Sequence, residues 1–336
     1  MPRHKVLEIQ TEGVREHRAV QAWLQVHPDS GAPRSLELLQ RRRYSTVYRL
    51  NDIGQDRPAV IAKRCRTATA HIERMIYDEL LPLTGMPALR CYGTVQEEDG
   101  EFCWVFLEDA AGAAYSPQLR DDRALAGRWL AAMHLTTACA NLQPCLPNRA
   151  LNHYLQSMHG CRAIALHYLG VNELPAADAE VLRNVVTHMD TIESLWNQIE
   201  EICEVMPQSM VHGDFVIKNL RIRDSTAGPA LFVFDWEFAG WGVPATDLAQ
   251  FTDRAASPDL NIYCSILRRG GSHLDLHDIQ AVAACGNLLR IVDQVNWATA
   301  GFEFVSSPQL VKVIALLACY QTSMVEAVRT FRMELT

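Results

Sequence analysis

Apolar positions recur with two different periods along this chain, and the change of period divides it. Val14, Val20, Trp23, Leu24 and Val26 predict a short amphipathic helix over 14–26. Leu36–Leu39, Thr46–Leu50 and Ala59–Lys63 are short β-prone runs, separated by the turn-formers Asn51-Asp52 and Arg57-Pro58. Ala70–Leu80 has helical spacing, and Phe102–Leu107 is an apolar, aromatic strand. These elements predict a lobe over residues 1–109 built on a small antiparallel sheet. After Ala110-Ala111-Gly112 the texture over 110–336 is mainly helical: Asp122–Ala138, one long helix over Val181–Met206, and Ile279–Arg332. One stretch interrupts it. Leu220–Arg223 and Leu231–Phe234 read as strands joined by a turn over Asp224–Pro229, a hairpin that brings Asn219 beside Asp235.

Composition narrows the classes. Hydrophobic residues are 49% and charged residues 21% of 336, an ordinary globular balance. A net charge of −8 supplies no basic footprint, so no nucleic-acid partner is expected. The longest uninterrupted apolar run, Val313–Tyr320, is short of a membrane span, and Met1–Lys5 is not followed by an apolar stretch. No membrane partner is expected. Ten cysteines, none in a Cys-x-x-Cys arrangement, read as reduced thiols of a cytoplasmic protein.

The chemistry concentrates in His212-Gly213-Asp214 through Asn219, and in Asp235-Trp236-Glu237. Phosphoryl transfer needs a carboxylate to orient and deprotonate the attacking hydroxyl, and oxygen ligands for Mg²⁺ on the nucleotide phosphates. One Asn and one Asp suffice from the protein, because Mg²⁺ keeps several waters. Either aspartate alone reads as a turn cap or a strand end. Asp214, Asn219 and Asp235 at hairpin spacing read as a kinase.

These motifs resemble the aminoglycoside phosphotransferase and choline kinase-like family of small-molecule kinases. Its signature is His-Gly-Asp, Asn, then an Asp-Trp-Glu type triplet; here Asp214 and Asp235 are 21 residues apart. Gly242–Leu248 also resembles the family's Gly-x-Pro-x-x-Asp-Leu continuation. The resemblance implies an α+β, bilobal protein-kinase-like fold, with a nucleotide-binding lobe over 1–109 and a helical lobe over 110–336 carrying the catalytic loop and acceptor site. It implies Asp214 as catalytic base, Asn219 and Asp235 as Mg²⁺ ligands, His212 as a packing residue and Asp247 as an anchor of the catalytic loop. Lys63 in Val60-Ile61-Ala62-Lys63 would reach the nucleotide phosphates, held by Glu73, with Glu79 as the other carboxylate at hand. The Glu108 carbonyl and the Ala110 N–H would read adenine. The phosphate-covering turn, Arg43–Tyr48, contains no glycine, so Ser45 and local N–H groups would replace the usual close backbone approach. ATP is the expected nucleotide, with GTP the alternative.

The acceptor is expected to be a small molecule with a free hydroxyl, an antibiotic or other natural product. An endogenous metabolite kinase of choline, homoserine or sugar type is the alternative. A nucleotide-binding pseudokinase would lack Lys63, Asp214, Asn219 or Asp235, and all four are present. Residues 249–336 hold eight acidic residues (Asp253, Asp259, Asp275, Asp278, Asp293, Glu303, Glu326, Glu334) against seven basic ones. That balance argues against a polycationic acceptor and for a neutral, mixed-charge or anionic one. His134 and the acidic run Glu193–Glu204 read as a packed histidine and a solvated helix face.

Overall fold

Alternation in Ala59–Arg66 decides the architecture of the first part of the chain: Val60 and Ala62 point one way into an apolar core, Ile61 and Lys63 the other way. The computed structural model describes residues 6–53, 59–139, 145–171, 174–226, 228–250, 254–300 and 307–334. The Arg57-Pro58 turn, and Asp253 and Glu303 of the charge balance, lie outside them. The chain divides into two compact units, Met1–Tyr115 with Lys218–Phe238, and Ser116–Ile217 with Ala239–Thr336.

The first unit contains β1 (Glu8–Gln10), α1 (Arg18–Val26), β2 (Ser35–Arg41), β3 (Ser45–Asn51), β4 (Ala59–Arg66), α2 (Thr67–Met75), α3 (Leu81–Thr84), β5 (Cys91–Gln96), β6 (Phe102–Glu108) and β7 (Ala113–Ala114). Six strands form one antiparallel sheet in the order β1-β2-β3-β4-β6-β5. Trp23 and Val20 of α1 close one face over Leu50, Val60, Ala62 and Phe106. Sequence periodicity missed β1 and β5, and started α1 four residues early. The expected helix over Ala70–Leu80 is α2 followed by a π-helical turn at Ile76–Leu80.

The hairpin belongs to this unit, whereas the expected division at 109/110 placed it with the helices. The reason is strand pairing. β10 (Leu220–Ser225) and β11 (Gly228–Val233) pair with each other, and β10 also pairs with β7 just beyond that boundary. Gly112, at φ +70°, lets the chain pass so close to β10 that a Cβ there would lie 2.3 Å from the Ile222 carbonyl oxygen. The strands also run deeper into the turn than expected, pairing Asp224 with Pro229 and Ser225 with Gly228.

The second unit holds α4 (Arg120–Ala138), β8 (Asn148–Arg149), α5 (Leu151–Val171), α6 (Ala176–Ser194), α7 (Trp196–Glu204), β9 (Ser209–Val211), β12 (Gly240–Gly242), α8 (Leu260–Arg269), α9 (Leu276–Thr299) and α10 (Ser307–Glu334). The expected single helix over 181–206 is two. Leu195 leaves the helical region at φ −97°, ψ 0°, while Ile192, Trp196, Ile199 and Cys203 keep one apolar face. Periodicity therefore reads straight through the break. α9 is buried on nearly every side and packs against α10, α5 and the 3₁₀ turn Pro244–Leu248. Within α10, Leu310–Glu334 contains an 18-residue window of mean hydropathy 1.4, long and apolar enough by composition to cross a membrane, which the short uninterrupted apolar run did not suggest. One side of α10 packs on α9 and α6, and 28% of that window is buried. All ten cysteines are free thiols.

Candidate active site

Sheet geometry gathers the first group of side chains. Residues paired across the ladder share a face, so Lys63 of β4 stands beside Val47 of β3 and Val105 of β6. α2 carries Glu73 beneath it. The Lys63 Nζ donates to Glu73 Oε1 at 2.6 Å and to Asp235 Oδ1 at 2.6 Å. Lys63 is 5% exposed and Glu73 fully buried. Burial disfavours the Lys63 ammonium, but the charges of Asp235 and Glu73 outweigh it and hold its pKa well above the ordinary lysine value. Glu79 is exposed and does not take the place of Glu73.

Asp235 arrives by way of the hairpin. The Phe234 N–H donates to the Asn219 carbonyl at 3.1 Å, which sets Asn219 and Asp235 at one end of the paired strands, as their spacing predicts. Asp235 adopts φ +70°, a left-handed conformation that costs a non-glycine residue about 1–2 kcal/mol. Glu237 follows, 3.5 Å from Arg42 Nη1. Burial, and then the Asp235 charge, push the Glu237 carboxyl up to about 7. One ammonium among three carboxylates leaves surplus negative charge beside hard oxygen donors. That is the chemistry a Mg²⁺ ion requires, and Asn219 and Asp235 fit it.

Lys63, Glu73, Glu108, Ala110, Asn219 and Asp235 all line one cavity of about 500 Å³ in the first unit, walled by Val47, Ile61 and Leu107. β6 ends at Glu108, so the main-chain groups of Asp109 and Ala110 lie beyond the ladder. Ser45 is not among the lining residues. It opens β3, two residues nearer the hairpin tip than Val47, and its hydroxyl is buried without a hydrogen-bond partner among the described residues. Arg49, which sequence reasoning passed over, lines the cavity and is paired with Asp109 at 2.7 Å and Glu37 at 3.0 Å.

In the second unit, β9 delivers His212-Gly213-Asp214 between β12 and the Pro244–Leu248 turn. Asp247 accepts hydrogen bonds from the His212 N–H at 2.7 Å and the Gly213 N–H at 3.0 Å. Burial raises the Asp247 carboxyl, but His134 and His212 overcome this and hold it below its ordinary value. His134 bridges Asp247 at 3.4 Å and the Tyr263 hydroxyl at 2.9 Å. It is packed, as expected, and also part of the loop's anchor. His212 Nδ1 accepts from the Asp214 N–H at 3.2 Å. Asp214 is 5% exposed, and its Oδ1 lies 3.8 Å from Arg290 Nη1. Sequence reasoning missed Arg290. Its available signal was a row of polar residues, Asn287, Arg290 and Gln294, at helical spacing inside an otherwise apolar helix.

A sheet carrying a buried Lys–Glu–Asp cluster, and a helical unit carrying an anchored His-Gly-Asp loop, define a kinase-like fold of the small-molecule phosphotransferase type. A model of the phosphotransferase enzyme family matches residues 36–273, and the chain belongs to that family. Comparison with curated proteins finds no match by sequence. Among solved structures, the chain resembles wild-type aminoglycoside 2′-phosphotransferase-IIIa in its GDP complex, with TM-score 0.61 and 13% identity over 90% of this chain and 97% of that one. It also resembles ethanolamine kinase from Plasmodium vivax (TM-score 0.59, 12% identity, 89% and 84% covered). A third likeness is choline kinase from Cryptosporidium parvum (TM-score 0.56, 10% identity, 87% and 89% covered).

Proposed function

We propose that this chain transfers the γ-phosphoryl group of ATP to a hydroxyl of a small molecule, an antibiotic or other natural product. The observation that carries this reading is Lys63 bonded to both Glu73 and Asp235 on a cavity that also receives Asn219. Lys63 holds the α- and β-phosphates, and Glu73 keeps the ammonium extended toward them. The Glu108 carbonyl and Ala110 N–H take the adenine edge. Asn219 and Asp235 would hold Mg²⁺, which when bound would neutralise charge on the phosphate oxygens. Asp214 orients the acceptor hydroxyl and accepts its proton as the oxygen attacks phosphorus and ADP departs. Asp247 keeps that loop in place by holding two of its N–H groups. The nucleotide-bound states of aminoglycoside 2′-phosphotransferase-IIIa, with GDP, and of spectinomycin phosphotransferase APH(9)-Ia, with ADP, support a nucleotide in this cavity.

The test is an ATP-consumption screen against a library of hydroxyl compounds, read by the mass gain of one phosphate. A gain that needs both Mg²⁺ and Asp214 supports the reading. ATP consumption that the Asp214→Asn variant retains in full would refute it.

A further inference from the structure

The acceptor has to bring its hydroxyl to Asp214, so the side chains around Asp214 in the second unit describe what it can be. α9 is apolar along most of its length but places Asn287, Arg290 and Asp293 in the interior. Asn287 is accounted for, since its Oδ1 accepts from the Gln250 N–H at 2.8 Å. The other two are not. Arg290 is 3% exposed; its Nη1 stands at an ion-pair distance of 3.8 Å from Asp214, too long for a hydrogen bond. Its buried Nε has no hydrogen-bond partner among the described residues. Asp293, 1% exposed, lies 3.5 Å from Arg149 Nη1 and 3.8 Å from His153 Nε2. Neither Asp293 oxygen accepts a hydrogen bond among the described residues. An unsatisfied buried polar group costs about 1–3 kcal/mol, more when charged. An apolar side chain would avoid that cost, so a donor kept in this state points to a ligand that completes it.

Backbone packing fixes where Arg290 sits. A Cβ on Gly286 would lie 1.9 Å from the Ala245 carbonyl oxygen, so α9 rests directly on the turn whose Asp247 holds His212 and Gly213. Arg290 follows one helical turn later. Its placement beside Asp214 is therefore set by main chain.

We propose that Arg290 binds an oxyanion of the acceptor, so that the molecule phosphorylated is a hydroxylated acid with a carboxylate near the reacting hydroxyl. The proposal rests on the phosphotransferase reading of Asp214. A guanidinium offers a planar fork of donors that matches a carboxylate, and Asp214 approaches that fork at Nη1, leaving the Nε to a ligand. A neutral polyol could pair the Nε through one hydroxyl oxygen, but without the second bond and the charge that strengthen a guanidinium–carboxylate pair. A polyamine would bring further positive charge beside Arg149 and Arg290.

The test titrates nucleotide-free full-length protein by calorimetry with glycolate, 4-hydroxybutyrate and gluconate, each beside its uncharged amide, and with kanamycin. The same compounds are then offered with Mg-ATP. Acids should bind more tightly than their amides by about 10–100-fold, the worth of a charged hydrogen bond. Arg290→Gln should erase that preference and raise KM for the acid more than it lowers kcat, leaving the Kd for Mg-ADP unchanged. Arg290→Lys, which keeps the charge without the fork, should retain part of the preference and serves if the glutamine variant does not fold. Acid binding that depends on Arg290 without any phosphate gain would uphold the site and remove the kinase reading. Amides or kanamycin turned over as well as the acids, with Arg290→Gln lowering all alike, overturns the proposal and leaves the kinase reading standing. Absence of Arg290-dependent carboxylate binding across the set also overturns it.

Discussion

Two buried ionic clusters, one in each unit, are built to opposite plans. Around Lys63 the contacts are closed: one ammonium bonds two carboxylates, each at 2.6 Å. Around Arg290 and Asp293 they are open: the buried Arg290 Nε has no hydrogen-bond partner among the described residues, and neither Asp293 oxygen accepts one. A buried charge without close partners is costly, so the second cluster is tolerable only if something else completes it. The difference follows from what each end serves. On the proposed reading, the first cluster would meet the same phosphates at every turnover and can be assembled in advance, whereas the second would hold its donors ready for one chosen acceptor.

The comparison can be broken most decisively at Asp214. Asp214→Asn removes the base and should lower transfer by about 10²–10⁴-fold, with folding and Mg-nucleotide binding retained. Full turnover in a folded variant would place the base elsewhere. Next in size is Lys63→Met. It strands Glu73 and Asp235 as like charges in the interior, and losing one partner of a buried pair costs about 3–5 kcal/mol. Urea unfolding should show that loss together with weakened Mg-ATP binding; an unchanged midpoint would mean the cluster is not closed in solution.

Asp247→Asn tests the anchor beneath the open cluster. An amide can no longer accept from the His212 and Gly213 N–H groups with both atoms, so about 1–3 kcal/mol of stability should go. Turnover should fall while the KM for nucleotide holds, and a KM that rises in step would tie Asp247 to the first unit's chemistry instead. The smallest effect belongs to a peripheral control in the first unit. Arg64 bonds Glu97 through two nitrogens, at 2.7 and 2.6 Å, where solvent still reaches. The hydrogen bond from Arg64, opposed by partial burial, holds the Glu97 carboxyl below its ordinary value. A depressed carboxyl stabilises the fold above the ordinary glutamate range and loses that contribution as pH falls through its lower folded value. Glu97→Gln should therefore cost about 0.2–1 kcal/mol at neutral pH, and the difference from the parent should fade in acid. A difference that grows on acidification would mean the pair does not form.

Much of the closed cluster could be read from the chain. Val60-Ile61-Ala62-Lys63 has the alternation of a strand, Glu73 follows at helical distance, and the two runs around Asp224–Pro229 fix Asn219 opposite Phe234. Each of these is a short-range pattern. Ser45 marks where that reading stops: the motif points to it for the phosphates, while the structure leaves it off the cavity lining, two residues along β3 from Val47. The break at Leu195 was invisible because the apolar face continues across it.

The sequence by itself determined strands β2, β3, β4 and β6, the hairpin that joins Asn219 to Asp235, and the His-Gly-Asp loop, because each is written in residues a few positions apart and in the period of their side chains. Only the tertiary structure decided that the hairpin sides with the sheet and that His134 supports Asp247. It alone set Arg290, 76 positions beyond Asp214, against that carboxylate. Those outcomes depend on which backbones can approach, as at Gly112 and Gly286, and close approach between distant segments leaves no period in the sequence.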